Sequence, residues 1–114
     1  MQDILKVEKS LIQTALNRAS VLSNEKYRGV KFILSKDNLK ICANNPSKES
    51  AEEEISVDYS GDDLEIGFNS RYLLDIARQI GGANTKFLMS DKLSPTLIFD
   101  EEDKLALYLL MPMH

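Results

Sequence analysis

Little in the 114-residue sequence provides for cross-linking, metal binding or membrane insertion. The single cysteine, Cys42, cannot form an internal disulfide, and one cysteine with one histidine cannot supply a zinc site. No apolar run approaches the roughly 18–20 residues of a membrane-spanning helix. The first residues also lack the basic and apolar segments of a secretory signal. We therefore expect a cytoplasmic protein with no disulfide, metal, cofactor or membrane contact.

Linkers rich in proline, glycine or serine are absent too, so residues 1–114 are expected to form a single domain. Hydrophobic residues make up 43% of the sequence and charged residues 28%, a composition that can bury a core and is typical of globular proteins. The formal net charge is −4. Taken as an average, this charge argues against a dedicated DNA-binding domain, whose surface is usually basic.

The negative charge is concentrated in one part of the sequence. Residues 1–48 carry a net charge of +5, residues 49–66 a net charge of −8 and the remainder a net charge of −1. The middle segment could be a solvated acidic hairpin beside an ordinary mixed surface. Alternatively, the fold could separate a basic side from an acidic side, which would suit contact with a phosphate backbone.

Apolar periodicity predicts one strand, one helix and three strands in the first half of the chain. Residues 4–7 are a short strand candidate, and apolar residues then recur at helical spacing from Lys9 to Leu22. The Ser23-Asn24 pair is the expected end of this helix. Three alternating stretches follow as predicted strands. They cover residues 30–34, 39–43 and 53–59, with a polar turn at 35–38 and a break at 44–46.

The same order of elements is predicted again in the second half. A strand over residues 64–68 ends at Asn69-Ser70, either of which could cap a helix. The helical stripe is formed by Tyr72, Leu73, Ile76, Ala77 and Ile80. Gly81-Gly82 ends that helix. Strands are predicted at 86–89, 96–99 and 104–110, with an acidic turn at 100–103. The repeated pattern predicts an α+β domain with antiparallel sheets.

The residues that usually carry catalysis are not arranged for it. His114, the only histidine, is the last residue, where mobility would defeat a role in a catalytic triad. Gly81-Gly82 follows a helix and so does not match a phosphate-binding loop. The acidic run at 52–54 could hold magnesium, but adjacent carboxylates in a strand point to opposite faces. Cys42, in an alternating apolar strand, is expected to be an inert core thiol. We therefore expect no enzyme.

The end of the sequence is unusually apolar. Residues 109–114 read Leu-Leu-Met-Pro-Met-His, so an apolar strand runs to the last residues with a proline between two methionines. One interpretation is a final core strand with a frayed tail. The other is an adaptable apolar rim, because exposed methionine-rich surface suits the binding of several related peptides.

Six short blocks of the sequence match one known family. The blocks are residues 23–30, 43–46, 58–61, 64–69, 94–95 and 111–113. In residues and in order they resemble the third domain of the bacterial beta sliding clamp, the processivity subunit of DNA polymerase III. The blocks cover nearly the whole chain. No single block is decisive, but the ordered set is highly specific.

The resemblance implies the DNA-clamp fold, with two pseudo-repeated strand-helix-strand-strand-strand halves, antiparallel sheets and two helices on one face. Clamps of this family are homodimeric rings of three-domain subunits, and their helices surround duplex DNA. Such contacts are weak, independent of sequence and sensitive to salt. By resemblance, the candidates for facing DNA are Arg18, Arg71 and Arg78. The implied partners also include DNA polymerase III, other clamp-binding proteins and the clamp loader.

The resemblance further implies two protein contact surfaces and no catalytic residue. Partner peptides with a glutamine and a Leu/Phe pair dock in an apolar pocket. Carried over to this sequence, the pocket residues are Asn69, Tyr72, Leu93, Pro95, Leu109, Met111, Pro112 and Met113. The ring closes head to tail. There Val21 and Leu22 match the family's apolar contacts, and Glu49 and Glu53 match its acidic contacts.

Two departures and two alternatives accompany this hypothesis. The family usually continues with an arginine and an apolar residue where this chain ends at His114, which could weaken one side of the pocket. Only one of three domains is represented, so this chain alone is not expected to encircle DNA. The alternatives are a metal-dependent enzyme using residues 52–54 and an unrelated α+β protein-interaction domain. Two pseudo-symmetric halves with both helices on one face would favour the clamp over the latter.

Overall fold

The computed structural model describes residues 3–19, 29–44, 50–90, 94–103 and 107–113, and within them the predicted order of elements is confirmed. The helices are α1 (Lys9–Ala19) and α2 (Ser70–Gln79). The strands are β1 (Asp3–Glu8), β2 (Gly29–Ser35), β3 (Asn38–Asn44), β4 (Ser50–Ser56), β5 (Leu64–Asn69), β6 (Asn84–Met89), β7 (Thr96–Asp100) and β8 (Leu107–Leu110). Across these ranges neither helix has the length and apolar character needed to traverse a bilayer.

The strands form two antiparallel four-stranded sheets, ordered β1-β6-β7-β8 and β4-β3-β2-β5. Each half of the chain contributes its first strand to the sheet of the other half, because β1 pairs with β6 and β5 pairs with β2. The expected α+β fold of two repeated halves with antiparallel sheets is therefore confirmed. The exchange of the first strands was not part of that expectation.

The two sheets are also joined at their edges by one backbone bridge on each side. Lys6 and Asp58 exchange two N–H···O bonds, with N···O distances of 3.0 and 2.9 Å. On the other side the Met113 N–H donates to the Gly67 carbonyl at 2.7 Å. Lys6 is the fourth residue of β1 and Gly67 the fourth residue of β5, so the two bridges are equivalent in the two halves.

The core lies between the sheets and the two helices, which pack against each other. Phe32 of β2 contacts Phe68 of β5 edge-on at a centroid distance of 5.3 Å, and it contacts Phe87 of β6 at 5.9 Å. Because β2 and β6 belong to different sheets, this aromatic group connects the two sheets through the core. Edge-to-face pairs of this kind add to the stabilisation that comes from burial alone.

The buried side of α2 differs from the predicted stripe. Leu73, Ala77 and Ile80 are buried as predicted, and Ile76 packs at the margin of the core. Tyr72, however, is 58% exposed, and Leu74 is buried instead. Because α2 turns by about 100° per residue, an inner side formed by Leu73, Leu74 and Ala77 leaves Tyr72 directed to solvent. The sequence-based placement of Tyr72 on the core side was wrong.

Several predicted boundaries also change. The strand predicted over residues 53–59 is β4, which ends at Ser56, and Tyr59 lies outside it. Tyr59 is nevertheless buried, and its hydroxyl donates to the Asp62 carbonyl at 2.6 Å. The turn at 35–38 is confirmed, with Asp37 in the left-handed region at a φ of 57°. The predicted helix end at Ser23-Asn24 lies outside the described residues.

The acidic turn predicted at 100–103 begins one residue too early, since Asp100 belongs to β7 and is buried. Its carboxylate accepts hydrogen bonds from the Gly82 and Glu102 N–H groups, each at 2.9 Å. Helix α2 ends at Gln79, its C-cap Ile80 is extended, and neither Gly81 nor Gly82 has a positive φ. Gly82 is needed for another reason, because a Cβ atom there would overlap the Asp100 carboxylate.

We predict that Gly82→Ala lowers the free energy of unfolding by about 2 kcal/mol or more, because it displaces a buried carboxylate from its hydrogen-bond donors. Gly81→Ala is the matched control, since a Cβ at Gly81 has no neighbour within 4 Å. That control should stay within about 1 kcal/mol of the wild type. Urea denaturation followed by circular dichroism measures both values. Equal stabilities for the two variants would contradict the role of Gly82.

Candidate functional site

A row of exposed apolar side chains follows β8 and the tail behind it. Its members, the C-terminal row, are Leu107, Leu109, Met111 and Met113, which are 53, 64, 57 and 43% exposed. The residues between them face inward, with Tyr108 half-buried and both Leu110 and Pro112 buried. This alternation is the two-residue period of an extended chain. Large apolar side chains exposed next to one another mark an interaction surface more often than an ordinary protein exterior.

The inward residues hold the C-terminal row in place. The Tyr108 hydroxyl donates to Gln79 Oε1 at 3.0 Å, which connects β8 to the end of α2. Beyond β8, the Met113 N–H reaches the Gly67 carbonyl of β5. The row is therefore fixed to α2 near its start and to the other sheet near its end. Since β8 is the outermost strand of its sheet, the row lies at the border of that sheet.

The start of α2 lies beside the end of this row. Asn69 is the N-cap, and its Oδ1 accepts from the N–H groups of Arg71 at 3.0 Å and Tyr72 at 3.3 Å. Asn69 follows Gly67 by two residues in β5, so the bridge to Met113 brings the tail close to the first turn of α2. Tyr72 is exposed on that turn.

The predicted pocket residues within the described ranges gather around this border. Leu109, Met111 and Met113 belong to the C-terminal row, and Pro112 is buried beneath it. Pro95 is exposed and directly precedes Thr96, which pairs with Leu110. Leu93 lies outside the described residues.

Sequence reasoning missed two residues at this border. Leu107 extends the row, and the alternation over residues 107–113 could have indicated it. Gly67 carries the backbone bridge to Met113, and no local pattern in the sequence pointed to that role.

Residues predicted for two different surfaces form a single ion pair. Arg18, expected to face DNA, lies 3.2 Å from Glu53, expected at a subunit interface, with Nη1 and Oε1 as the contacting atoms. The side chains are 70 and 26% exposed, so solvent screens the pair and its contribution to stability is small. The other proposed interface residues, Val21, Leu22 and Glu49, lie outside the described residues.

The Arg18–Glu53 pair has a counterpart in the second half. It connects the end of α1 to β4, as Gln79–Tyr108 connects the end of α2 to β8. Each tie therefore holds a helix end against the outermost strand of a sheet. The first half uses an ion pair for this purpose and the second half uses a neutral hydrogen bond.

The other two predicted DNA-facing residues are exposed on α2. Arg78 Nη1 lies 3.9 Å from Asp75 Oδ1 within the same helix, and both side chains are exposed. Arg71 is exposed in the first turn, and its backbone N–H is one of the two that donate to the Asn69 cap. Because α1 and α2 pack side by side, the three arginines belong to one pair of neighbouring helices.

The acidic run at 52–54 does not converge. Glu52 and Glu54 are exposed beside Lys40 Nζ, at 3.5 and 4.0 Å, whereas Glu53 turns to α1. The prediction that neighbouring carboxylates point to opposite faces of the strand is therefore confirmed. Within the part of the chain that the structure describes, no three His, Cys, Asp or Glu side chains are placed to hold a metal ion.

Cys42 is not the core thiol that the alternation of its strand predicted. The neighbours Ile41 and Ala43 are buried, so Cys42 lies on the opposite, outer side of β3 and is half-buried. Its thiol donates to Glu52 Oε2 at 3.8 Å. The pKa of the Cys42 thiol is raised, mainly by partial burial and secondly by the negative charge of Glu52. A raised pKa disfavours the thiolate, the form that reacts as a nucleophile.

Comparison with known proteins relates the whole chain to one family. Residues 1–114 match the family model described as DNA polymerase III beta subunit, C-terminal domain. The chain is 45% identical over 106 residues to the beta sliding clamp of Pseudomonas aeruginosa, and this alignment covers 93% of this chain and 29% of that protein. The Escherichia coli K12 beta sliding clamp is 45% identical over 103 residues, covering 90% of this chain and 28% of that protein.

A solved structure gives the same relationship. The crystal structure of the DNA polymerase III subunit beta from Pseudomonas aeruginosa is similar with a TM-score of 0.95 and 43% sequence identity. The match covers 98% of this chain and 31% of that chain. The sequence therefore spans less than a third of the length of the proteins it matches.

We predict that Asn69→Ala lowers the free energy of unfolding by about 1 kcal/mol, because two N–H groups in the first turn of α2 lose their acceptor. Asn69→Asp is the matched control, since a carboxylate keeps the acceptor and is favourable at a helix N-terminus. Urea denaturation compares the two variants with the wild type. If Asn69→Ala were as stable as Asn69→Asp, the capping role would be wrong.

Proposed function

Because the chain belongs to the family formed by the C-terminal domains of DNA polymerase III beta subunits, we propose that it acts as the third domain of a beta sliding clamp. In this role it is a non-catalytic part of a processivity factor that keeps DNA polymerase III on duplex DNA during replication. Residues 1–114 form that one domain. The complete ring requires sequence beyond this chain, which spans 29% of its Pseudomonas aeruginosa relative.

The observation that carries the proposal is the C-terminal row beside the exposed Tyr72. Partner proteins, DNA polymerase III among them, place the apolar anchors of a short peptide against Leu109, Met111 and Met113. Burying one leucine or phenylalanine side chain is worth about 1.5–3 kcal/mol. Two anchors therefore suffice for a modest affinity after the cost of association is met. The remaining proposed pocket residues, Asn69, Leu93, Pro95 and Pro112, would complete its walls.

A peptide titration tests this pocket. The probe is a short synthetic peptide with a glutamine and a Leu-Phe pair, and the control peptide has two alanines in place of that pair. We expect Met111→Asp with Met113→Asp to weaken binding about tenfold or more, because a charge would be desolvated against the anchors. Isothermal titration calorimetry measures the affinity, and circular dichroism verifies the fold.

The matched control for this titration is Leu11→Asp. Leu11 is the third residue of α1, as Tyr72 is of α2, and it is also exposed. This variant places one aspartate, where the pocket variant places two, at an exposed apolar position in the other half and should leave peptide affinity unchanged. Equal losses in the two proteins, or equal binding of the probe and the alanine peptide, would contradict the proposed pocket.

We also propose that α1 and α2 lie on the side of the domain that faces DNA. Arg18, Arg71 and Arg78 lie exposed on these helices, whereas Glu52 and Glu54 are exposed on β4. Such an arrangement supports weak contact of the helices with phosphate groups in spite of the net charge of −4. Weak contacts suit a clamp, because tight binding would oppose sliding.

The salt dependence of duplex binding tests this orientation. We expect Arg71→Ala with Arg78→Ala to reduce the slope of log K against log salt by about 0.9 for each phosphate that the variant no longer neutralises. Lys31→Ala with Lys40→Ala is the control, because these lysines alternate with buried residues on the outer side of β2 and β3. Fluorescence anisotropy at low salt gives both slopes. A larger change for the lysine variant would reverse the proposed orientation.

The ring is proposed to close through the outermost strand β4. A free strand edge can accept a neighbouring chain, and Glu53 on β4 would join Val21, Leu22 and Glu49 at the interface between two copies of the clamp. A clamp loader would open and close the homodimeric ring. A protein with this role acts where the bacterial chromosome is replicated, so we place it in the cytoplasm.

A further inference from the structure

We infer that Gly67 is a positioning residue for the peptide site. Because Gly67 has no side chain, the tail can approach β5 closely and bond to it, and this contact holds Met111 and Met113 in place. The inference rests on the proposed function, since it concerns the wall of the same pocket. Gly67 is not among the residues assigned to the pocket by resemblance. It acts through the tail and need not touch a bound peptide.

The geometry at Gly67 leaves little room for a side chain. The Met113 N–H donates to the Gly67 carbonyl at 2.7 Å. A Cβ atom at Gly67 would lie 3.2 Å from the Met113 carbonyl oxygen and 3.8 Å from Met113 Cβ. The first distance is shorter than an ordinary carbon–oxygen contact. An alanine at this position would therefore require the tail to shift from β5 by a few tenths of an ångström.

The first half of the molecule shows that the fold itself does not demand a glycine here. The equivalent bridge uses Lys6, which exchanges two backbone hydrogen bonds with Asp58. Lys6 carries a full side chain, whose Nζ lies 3.0 Å from Glu101 Oε1. The requirement at Gly67 thus comes from the close approach of this particular tail.

The tail depends on this bridge for its order. Pro112 has no N–H to donate, so Met113 supplies the backbone donor at this point of the tail. Without that bond, the flanking Met111 and Met113 would sample many conformations, and a peptide would have to order them on binding. A pocket wall that is already held in place avoids this cost.

Displacement of the tail should affect binding more than stability. Met113 lies beyond β8 and outside every strand of the described residues, so it can shift away from Gly67 without moving a strand of either sheet. Gly67 itself has a negative φ, which an alanine can adopt. Loss of one neutral hydrogen bond corresponds to a weakening of about 2- to 10-fold in the peptide dissociation constant.

The experiment compares Gly67→Ala and Gly67→Val with Gly81→Ala, a glycine substitution in open space. Three quantities are measured for each protein: hydrogen exchange at the Met113 amide, affinity for the peptide with a glutamine and a Leu-Phe pair, and the midpoint of urea unfolding. We expect the Met113 amide to be protected in the wild type and in Gly81→Ala. It should exchange faster in Gly67→Ala, with about 2- to 10-fold weaker peptide binding and a nearly unchanged midpoint. Gly67→Val should show a larger loss of affinity.

Three results would overturn the inference. An unprotected Met113 amide in the wild type would remove the bridge itself. Unchanged peptide affinity in Gly67→Ala, with normal binding by the wild type, would remove the positioning role and leave the proposed function intact. Absence of peptide binding by the wild type would remove the proposed function and the inference together.

Discussion

Each half of this domain completes its sheet with a strand that the other half supplies, since β1 pairs with β6 and β5 pairs with β2. Without the exchanged strands, β6 and β2 would each present an unpaired edge. The exchange draws α1 and α2 together and connects the two sheets through Phe32. It also places β5 next to the tail that follows β8, so the candidate peptide site depends on this pairing.

The two halves share a scaffold and differ in the chemistry at equivalent positions. Beside Lys6 and Asp58 lies an open concavity of the first half, which is also lined by Glu8 and Leu11. In the second half the corresponding border has Gly67, Asn69 and Tyr72. Met113 of the apolar C-terminal row stands there in the place that Asp58 has in the first half. The proposed peptide site thus belongs to the half whose tail is apolar, although the backbone supports both positions.

Local patterns predicted the order of elements because helical and strand periodicities are properties of neighbouring residues. The pairing of β1 with β6 escaped prediction, because it joins segments that are distant in the chain and no turn determines it. Tyr72 was misplaced for a related reason: the helix can be rotated so that either Tyr72 or Leu74 completes the apolar side, and packing against α1 and the sheets decides.

Tertiary contacts also explain the other residues that the sequence patterns misplaced or did not identify. Asp100 was assigned to a turn, although its carboxylate is buried against the Gly82 and Glu102 N–H groups. Cys42 was assigned to the core, although the alternation of β3 places it outward beside Glu52. The proposed pocket came from family resemblance, while Leu107 and Gly67 required the structure.

The most direct measurement of the central claim, that the C-terminal row binds a partner peptide, is a titration of isotope-labelled protein with the Leu-Phe peptide, followed by methyl NMR. We expect shifts at Met111, Met113, Leu107 and Leu109, with Leu11 and Ile4 unaffected. Shifts confined to Leu11 and Ile4, or none at millimolar peptide, would contradict the proposed peptide site.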